Sequence, residues 1–102
     1  MESFFTQTPN ITFNLIHDSD DIKRAVYDFV CKIERSSPYK SNVNFCLVEK
    51  ESGEFTARLE VVANSFEILL TKKNSSLINL LAEFNEAFSE KLKPWLEGRF
   101  SA

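Results

Sequence analysis

Two glycines and three prolines in 102 residues leave too little turn-forming or breaking material for a collagen-like, low-complexity or disordered chain. Cysteine is scarce as well. Cys31 and Cys46 show no CxxC spacing, which excludes a disulfide framework or a zinc knuckle and leaves two reduced thiols as the expectation. A single histidine, His17, continues the inward parity of the first strand, while Cys46 falls on an open sheet face and Cys31 outward on a helix. No nucleophile and base can then meet, so no catalysis, cofactor or metal is expected. No apolar run approaches the ~18 residues of a bilayer span, and the opening MESFFTQTPN lacks the basic flank and apolar stretch of a signal peptide. A cytoplasmic protein without membrane contact is expected. Excess basic charge is missing too: 12 Lys and Arg stand against 15 Asp and Glu, a net charge of −3. Any affinity for nucleic acid must therefore be local.

What is present is a core. Hydrophobic residues make up 43% of the chain and ten are phenylalanine, enough for one compact domain of this length. Ile11, Phe13 and Leu15 alternate with Thr12 and Asn14 as in a half-buried strand. The run His17 to Asp21 offers N-caps, and Ser19 or Asp20 starts a helix whose apolar stripe is Ile22, Ala25, Val26, Phe29, Val30 and Ile33, ended by Ser36-Ser37-Pro38. Val43, Phe45 and Leu47 mark a second strand, and a polar turn holding Gly53 leads into a third with Phe55, Ala57, Leu59 and Val61 inward. After Asn64-Ser65, Phe66, Ile68 and Leu70 mark a fourth strand, with Lys72 to Ser76 leading to a last helix. Its stripe is Leu77, Leu80, Leu81, Phe84, Ala87, Phe88 and Leu92, and Pro94 ends or kinks it before Trp95.

The order β-α-β-β-β-α predicts an α+β two-layer sandwich: a four-stranded mixed sheet, its first two strands parallel, with both helices on one face. The other face carries Thr12, Asn14, Asn42, Asn44, Thr56, Arg58, Glu60, Glu67 and Thr71 and meets water. Residues 1–10 read as a tail, 11–95 as a single domain and 96–102 as a second tail.

This order, with a long meander and a long final amphipathic helix, resembles the ribosome hibernation-promoting factors, also called ribosome-associated inhibitors, over about residues 11 to 95. Ile11-Thr12-Phe13 is similar to that family's opening strand, and Ala25-Val26 with Phe29-Val30 to its first helical stripe. Leu81, Phe84, Phe88 and Leu92 fall on the apolar positions of its last helix. The resemblance implies a non-enzymatic factor that binds ribosomal RNA of the small ribosomal subunit and silences translation, as in a stress response. Against the family's lysines, this chain has Ala87 before Phe88 and an outward row of Glu83, Glu86 and Glu90. A second reading, a protein–protein interaction module of the same fold without RNA affinity, is consistent with that row and with the net charge.

On a wheel of the first helix, Arg24, Tyr27, Cys31 and Arg35 cluster opposite the apolar stripe, flanked by Lys23 and Lys32. Arginine forks fit phosphate oxygens and a tyrosine ring fits a base. Asp28 and Glu34 interrupt this face, so a merely solvated surface competes with a binding one. Lys72, Lys73, Lys91 and Lys93 add positive ends, the last two also suited to the dipole of the helix C-terminus. The candidate RNA-binding set is thus Lys23, Arg24, Tyr27, Lys32, Arg35, Lys72, Lys73, Lys91 and Lys93. Arg58 is expected in a cross-strand ion pair with Glu60 or Glu67. Phe4, Phe5, Trp95 and Phe100 are expected to fold back or meet a partner, and the partner this pattern offers is a second copy, as a homodimer through the termini or an edge strand.

Overall fold

The computed structural model describes residues 10–37, 40–63 and 66–100, the last six of these through the backbone alone. Six elements follow in the expected order: β1 (Asn10–Asn14), α1 (Asp20–Ser36), β2 (Asn42–Glu49), β3 (Phe55–Ala63), β4 (Phe66–Asn74) and α2 (Leu77–Phe100). Phe4, Phe5, the Asn64-Ser65 turn and the side chains of Trp95 and Phe100 lie outside what is described.

The strands form one sheet in the order β1-β2-β3-β4. β1 pairs parallel with β2, and β2, β3 and β4 pair antiparallel. Joining parallel neighbours requires a crossover, which α1 supplies. Alternation then sorts the side chains: Val43, Phe45, Leu47, Ala57, Leu59, Val61, Phe66 and Ile68 are buried under the helices. From α1 come Val26, Phe29, Val30 and Ile33, and from α2 Leu80, Phe84, Phe88 and Leu92. Three rings tie the layers together. Phe45 of β2 stands 5.5 Å edge-on from Phe29 of α1 and 5.5 Å from Phe84 of α2, with the two helical rings 6.1 Å apart.

Local chemistry sets the boundaries. The Ser19 hydroxyl accepts from the Ile22 amide at 3.3 Å and caps α1, with Asp20 and Asp21 in its first turn where the helix dipole favours acids. Ser37 is extended, the conformation imposed on a residue before proline, and ends the helix. Gly53 takes a positive φ of 91° in the β2–β3 turn, a region open to glycine without cost. The Asn74 side chain accepts from the Ser76 amide at 2.9 Å, and the Ser76 hydroxyl accepts from the Asn79 amide at 3.3 Å, so this pair turns the chain from β4 into α2.

Three expectations need correction. β4 runs to Asn74, so Lys72 and Lys73 belong to a strand and not to a helix entry, because pairing with Ala57 and Thr56 continues the ladder. α2 continues through Pro94 to Phe100, so Pro94 does not end the helix and residues 96–100 are helix and not tail. A proline removes one donor and disturbs one turn, and the helix formers Lys91, Leu92 and Lys93 before it and Leu96 and Glu97 after it carry the helix past it. His17 is not inward: its side chain is 82% exposed, since β1 ends at Asn14 and strand parity no longer applies.

Candidate interhelical nucleic-acid interface

α1 and α2 lie side by side over the sheet and leave a groove of about 400 Å³ between them. Its floor is Ile33, Phe88 and Leu92. Lys32, Arg35 and Ser36 form the α1 lip, Asn85 and Ser89 the α2 lip. Among the described residues the lining thus holds two cations, three neutral hydrogen-bonding side chains and no carboxylate.

Helical geometry keeps it so. At 100° per residue from Leu80, Asn85 and Ser89 fall about 140° and 180° round α2, while Glu86, Glu90 and Glu83 fall at about 240°, 280° and 300°. The acidic row therefore points away from the groove. Glu83 accepts from the Asn74 side-chain Nδ2 at 2.6 Å, and with Glu86, Asn79 and Ala82 it lines a separate shallow depression on the β4 side. Carboxylates that repel phosphate are thus segregated from the α1 side of the helix.

The nine candidate residues do not form one surface. Lys32 and Arg35 meet at the groove. Arg24 and Tyr27 are exposed on the outer side of α1, Arg24 at nearly the same angle as Arg35. Asp28 shares that side and stands four residues from both Arg24 and Lys32. Tyr27, 52% exposed, has its hydroxyl held above its ordinary pKa chiefly by hydrogen bonding with the Cys31 side chain. Lys23 lies on the flank away from α2, where Asp18 binds its ammonium at 2.7 Å and raises its pKa through that hydrogen bond. Lys72 is half-buried on the helix side of β4, and Lys73 is exposed on the opposite face. Lys91 and Lys93 are exposed on α2, about 200° apart round its axis.

Sequence reasoning passed over Asn85, Ser89 and Ser36. The signal was available: on the wheel of α2, Asn85 and Ser89 are neutral polar positions on the flank away from the row of Glu83, Glu86 and Glu90. Arg58 also departs from expectation. Its neighbours across the ladder are Cys46 and Thr71, Glu60 accepts instead from Asn44 at 3.3 Å, and among the described residues Arg58 makes no ion pair.

Glu49 has a structural task at the end of β2. One carboxylate oxygen accepts from the amides of Ile16 and His17, both at 3.0 Å, and the other lies 3.4 Å from His17 Nδ1. These bonds hold its pKa below the usual carboxylate range, the His17 amide contributing most. They also fasten the β1–α1 loop to β2. Cys31 and Cys46 are free thiols on different layers. Among the described residues no three His, Cys, Asp or Glu side chains gather as metal ligands, and no helix is long and apolar enough to cross a membrane.

No family model matches the sequence, and no curated protein matches it. Solved structures do match the fold. The N-terminal domain of Protein Y from Thermus thermophilus superimposes with a TM-score of 0.54 at 10% identity, over 79% of this chain and 97% of that one. A ribosomal subunit interface protein from Coxiella burnetii does so with a TM-score of 0.56 at 13% identity, over 85% and 98%. The chain shares nearly the whole of their α+β fold. At such identity the likeness is one of architecture, the same architecture that the sequence resemblance implies.

Proposed function

We propose that the protein is a ribosome-associated factor of the hibernation type, which binds RNA of the small ribosomal subunit and inhibits translation without doing chemistry. One observation carries this reading: the groove between α1 and α2 gathers Lys32 and Arg35 over an apolar floor, faces them with Asn85 and Ser89, and among the described side chains is lined by no carboxylate. Arginine and lysine supply the phosphate contacts, and the neutral amide and hydroxyl supply hydrogen bonds to ribose or base edges. Arg24 and Tyr27 extend the contact along α1, and Lys93, about 40° round α2 from Ser89, extends it along α2, whereas Lys91 lies on the far side of that helix. The shared fold with a protein described as a ribosomal subunit interface protein supports the choice of partner.

Local clustering reconciles this with the net charge. A surface that neutralises a few phosphates needs cations at the contact, and the carboxylates need only be elsewhere. The acidic flank of α2 satisfies that condition by position.

The test is pelleting of the purified protein with separated small and large ribosomal subunits through a sucrose cushion at low salt. Association with the small subunit that fades as salt rises supports the reading. Protein that stays in the supernatant with both subunits overturns it and turns attention to a protein partner.

A further inference from the structure

The open face of the sheet carries four charged side chains, all on β3 and β4. The register fixes their order. Glu67 stands opposite Val62, Glu60 opposite Leu69, Arg58 opposite Thr71 and Lys73 opposite Thr56. Successive rows along the strands therefore read negative, negative, positive, positive, each about 6.8 Å beyond the last. Arg58, Lys73 and Glu67 are exposed, and none of them makes an ion pair among the described residues. Glu60 is half-buried and takes one hydrogen bond from Asn44.

We infer that this face binds a second copy of the chain, sheet against sheet, about a two-fold axis that lies in the interface perpendicular to the strands. Such a rotation reverses the order of rows and keeps each strand over its own counterpart. Glu60 then faces Arg58 of the second copy, and Glu67 faces its Lys73, with both pairs repeated by symmetry. A two-fold axis along the strands keeps the rows in place, so acidic rows stay over acidic rows and basic over basic, and no carboxylate comes to face a cation. The charge order thus favours the first of these two symmetric packings, the one that forms opposite-charge pairs. Leu69, 53% exposed, with half-buried Val62, Val48 and Cys46, supplies apolar contact within the same patch.

Its size bounds the affinity. Four strands about 4.8 Å apart and four rows make a patch of roughly 500 Å² in projection. That falls short of the ~800 Å² per partner of a standard interface, so the dimer is weak and sensitive to salt. The interhelical groove lies on the other side of the molecule, so self-association leaves it open. The inference stands apart from the reading of that groove.

Analytical ultracentrifugation of the reduced protein from about 10 µM to about 1 mM reads the outcome over the range of such weak affinities. At low salt the mass should move from one chain towards two, and raised salt should weaken association by roughly tenfold or more. Two charge-reversed variants locate the face: Arg58→Glu/Lys73→Glu makes it wholly acidic, and Glu60→Arg/Glu67→Lys wholly basic. Each alone should stay monomeric, and their mixture should associate at least as well as the natural chain. Glu83→Lys/Glu86→Lys, on α2, should leave self-association unchanged, and circular dichroism checks that every variant folds. A natural chain that stays monomeric throughout, reversed variants that self-associate unchanged, or a mixture that fails to associate would each overturn the proposal.

Discussion

Lys72 and Lys73, adjacent in the chain, leave β4 on opposite faces of the sheet: Lys72 pairs with Ala57 on the helix side, Lys73 with Thr56 on the open side. One residue of register separates them, and with period two that is enough to assign them different surroundings. Lys73 cannot share a surface with Lys32 and Arg35. Replacing Lys73 with Glu should leave pelleting with small subunits within about twofold of the natural chain, since it removes no groove contact. Parallel cushion assays of Lys73→Glu and Arg35→Glu make the comparison.

The ring contacts of Phe45 make it the side chain that joins α1, the sheet and α2 at one point. Phe45→Ala should lower unfolding stability by about 3–5 kcal/mol, a transfer loss plus a cavity that three fixed elements cannot close. Phe45→Leu should cost clearly less, because most of the volume stays filled. Urea titrations of both variants, read by circular dichroism, give the two values.

Ser19 is the sole side-chain cap at the start of α1 among the described residues, through its bond to the Ile22 amide. Ser19→Ala should destabilise the fold by about 1 kcal/mol, and Ser19→Asp should restore most of it. Thermal melts of the three proteins decide this.

Glu49 gives the fold a dependence on acid. Its folded pKa is depressed by the His17 and Ile16 amides and by the His17 ring, so the ionised form is favoured in the native state. The stability this contributes is fully present above the unfolded value near pH ~4.3 and is lost as pH falls through the folded value. Glu49→Gln should therefore melt lower than the natural chain at neutral pH and lose less on acidification below about pH 4. Melting temperatures of both proteins across that range provide the check.

Much of this architecture was legible in the residues because local and global signals agree. The alternation of Val43, Phe45 and Leu47 and the stripe from Leu80 to Leu92 leave one way to bury both sets, with helices on a single face. The site was less legible. A wheel places Arg24 and Arg35 on one side of α1, but which flank of that helix meets α2 depends on tertiary packing, and that choice admits Lys32 to the groove and leaves Lys23 with Asp18. Lys72 and Lys73 were misplaced because polar residues at a strand end resemble a loop. Only the ladder opposite Ala57 and Thr56 reveals the strand. His17 misled for the converse reason, since parity carried past the end of β1 has no meaning.

The central claim is that Lys32 and Arg35 meet phosphates from the lip of the interhelical groove. The most direct measurement is the salt dependence of small-subunit affinity for the natural chain and for Lys32→Gln/Arg35→Gln. Removing two phosphate contacts should weaken binding at low salt and flatten the plot of log affinity against log salt by roughly 1.4 to 1.8. A variant that binds with the natural affinity and the natural slope would contradict the account.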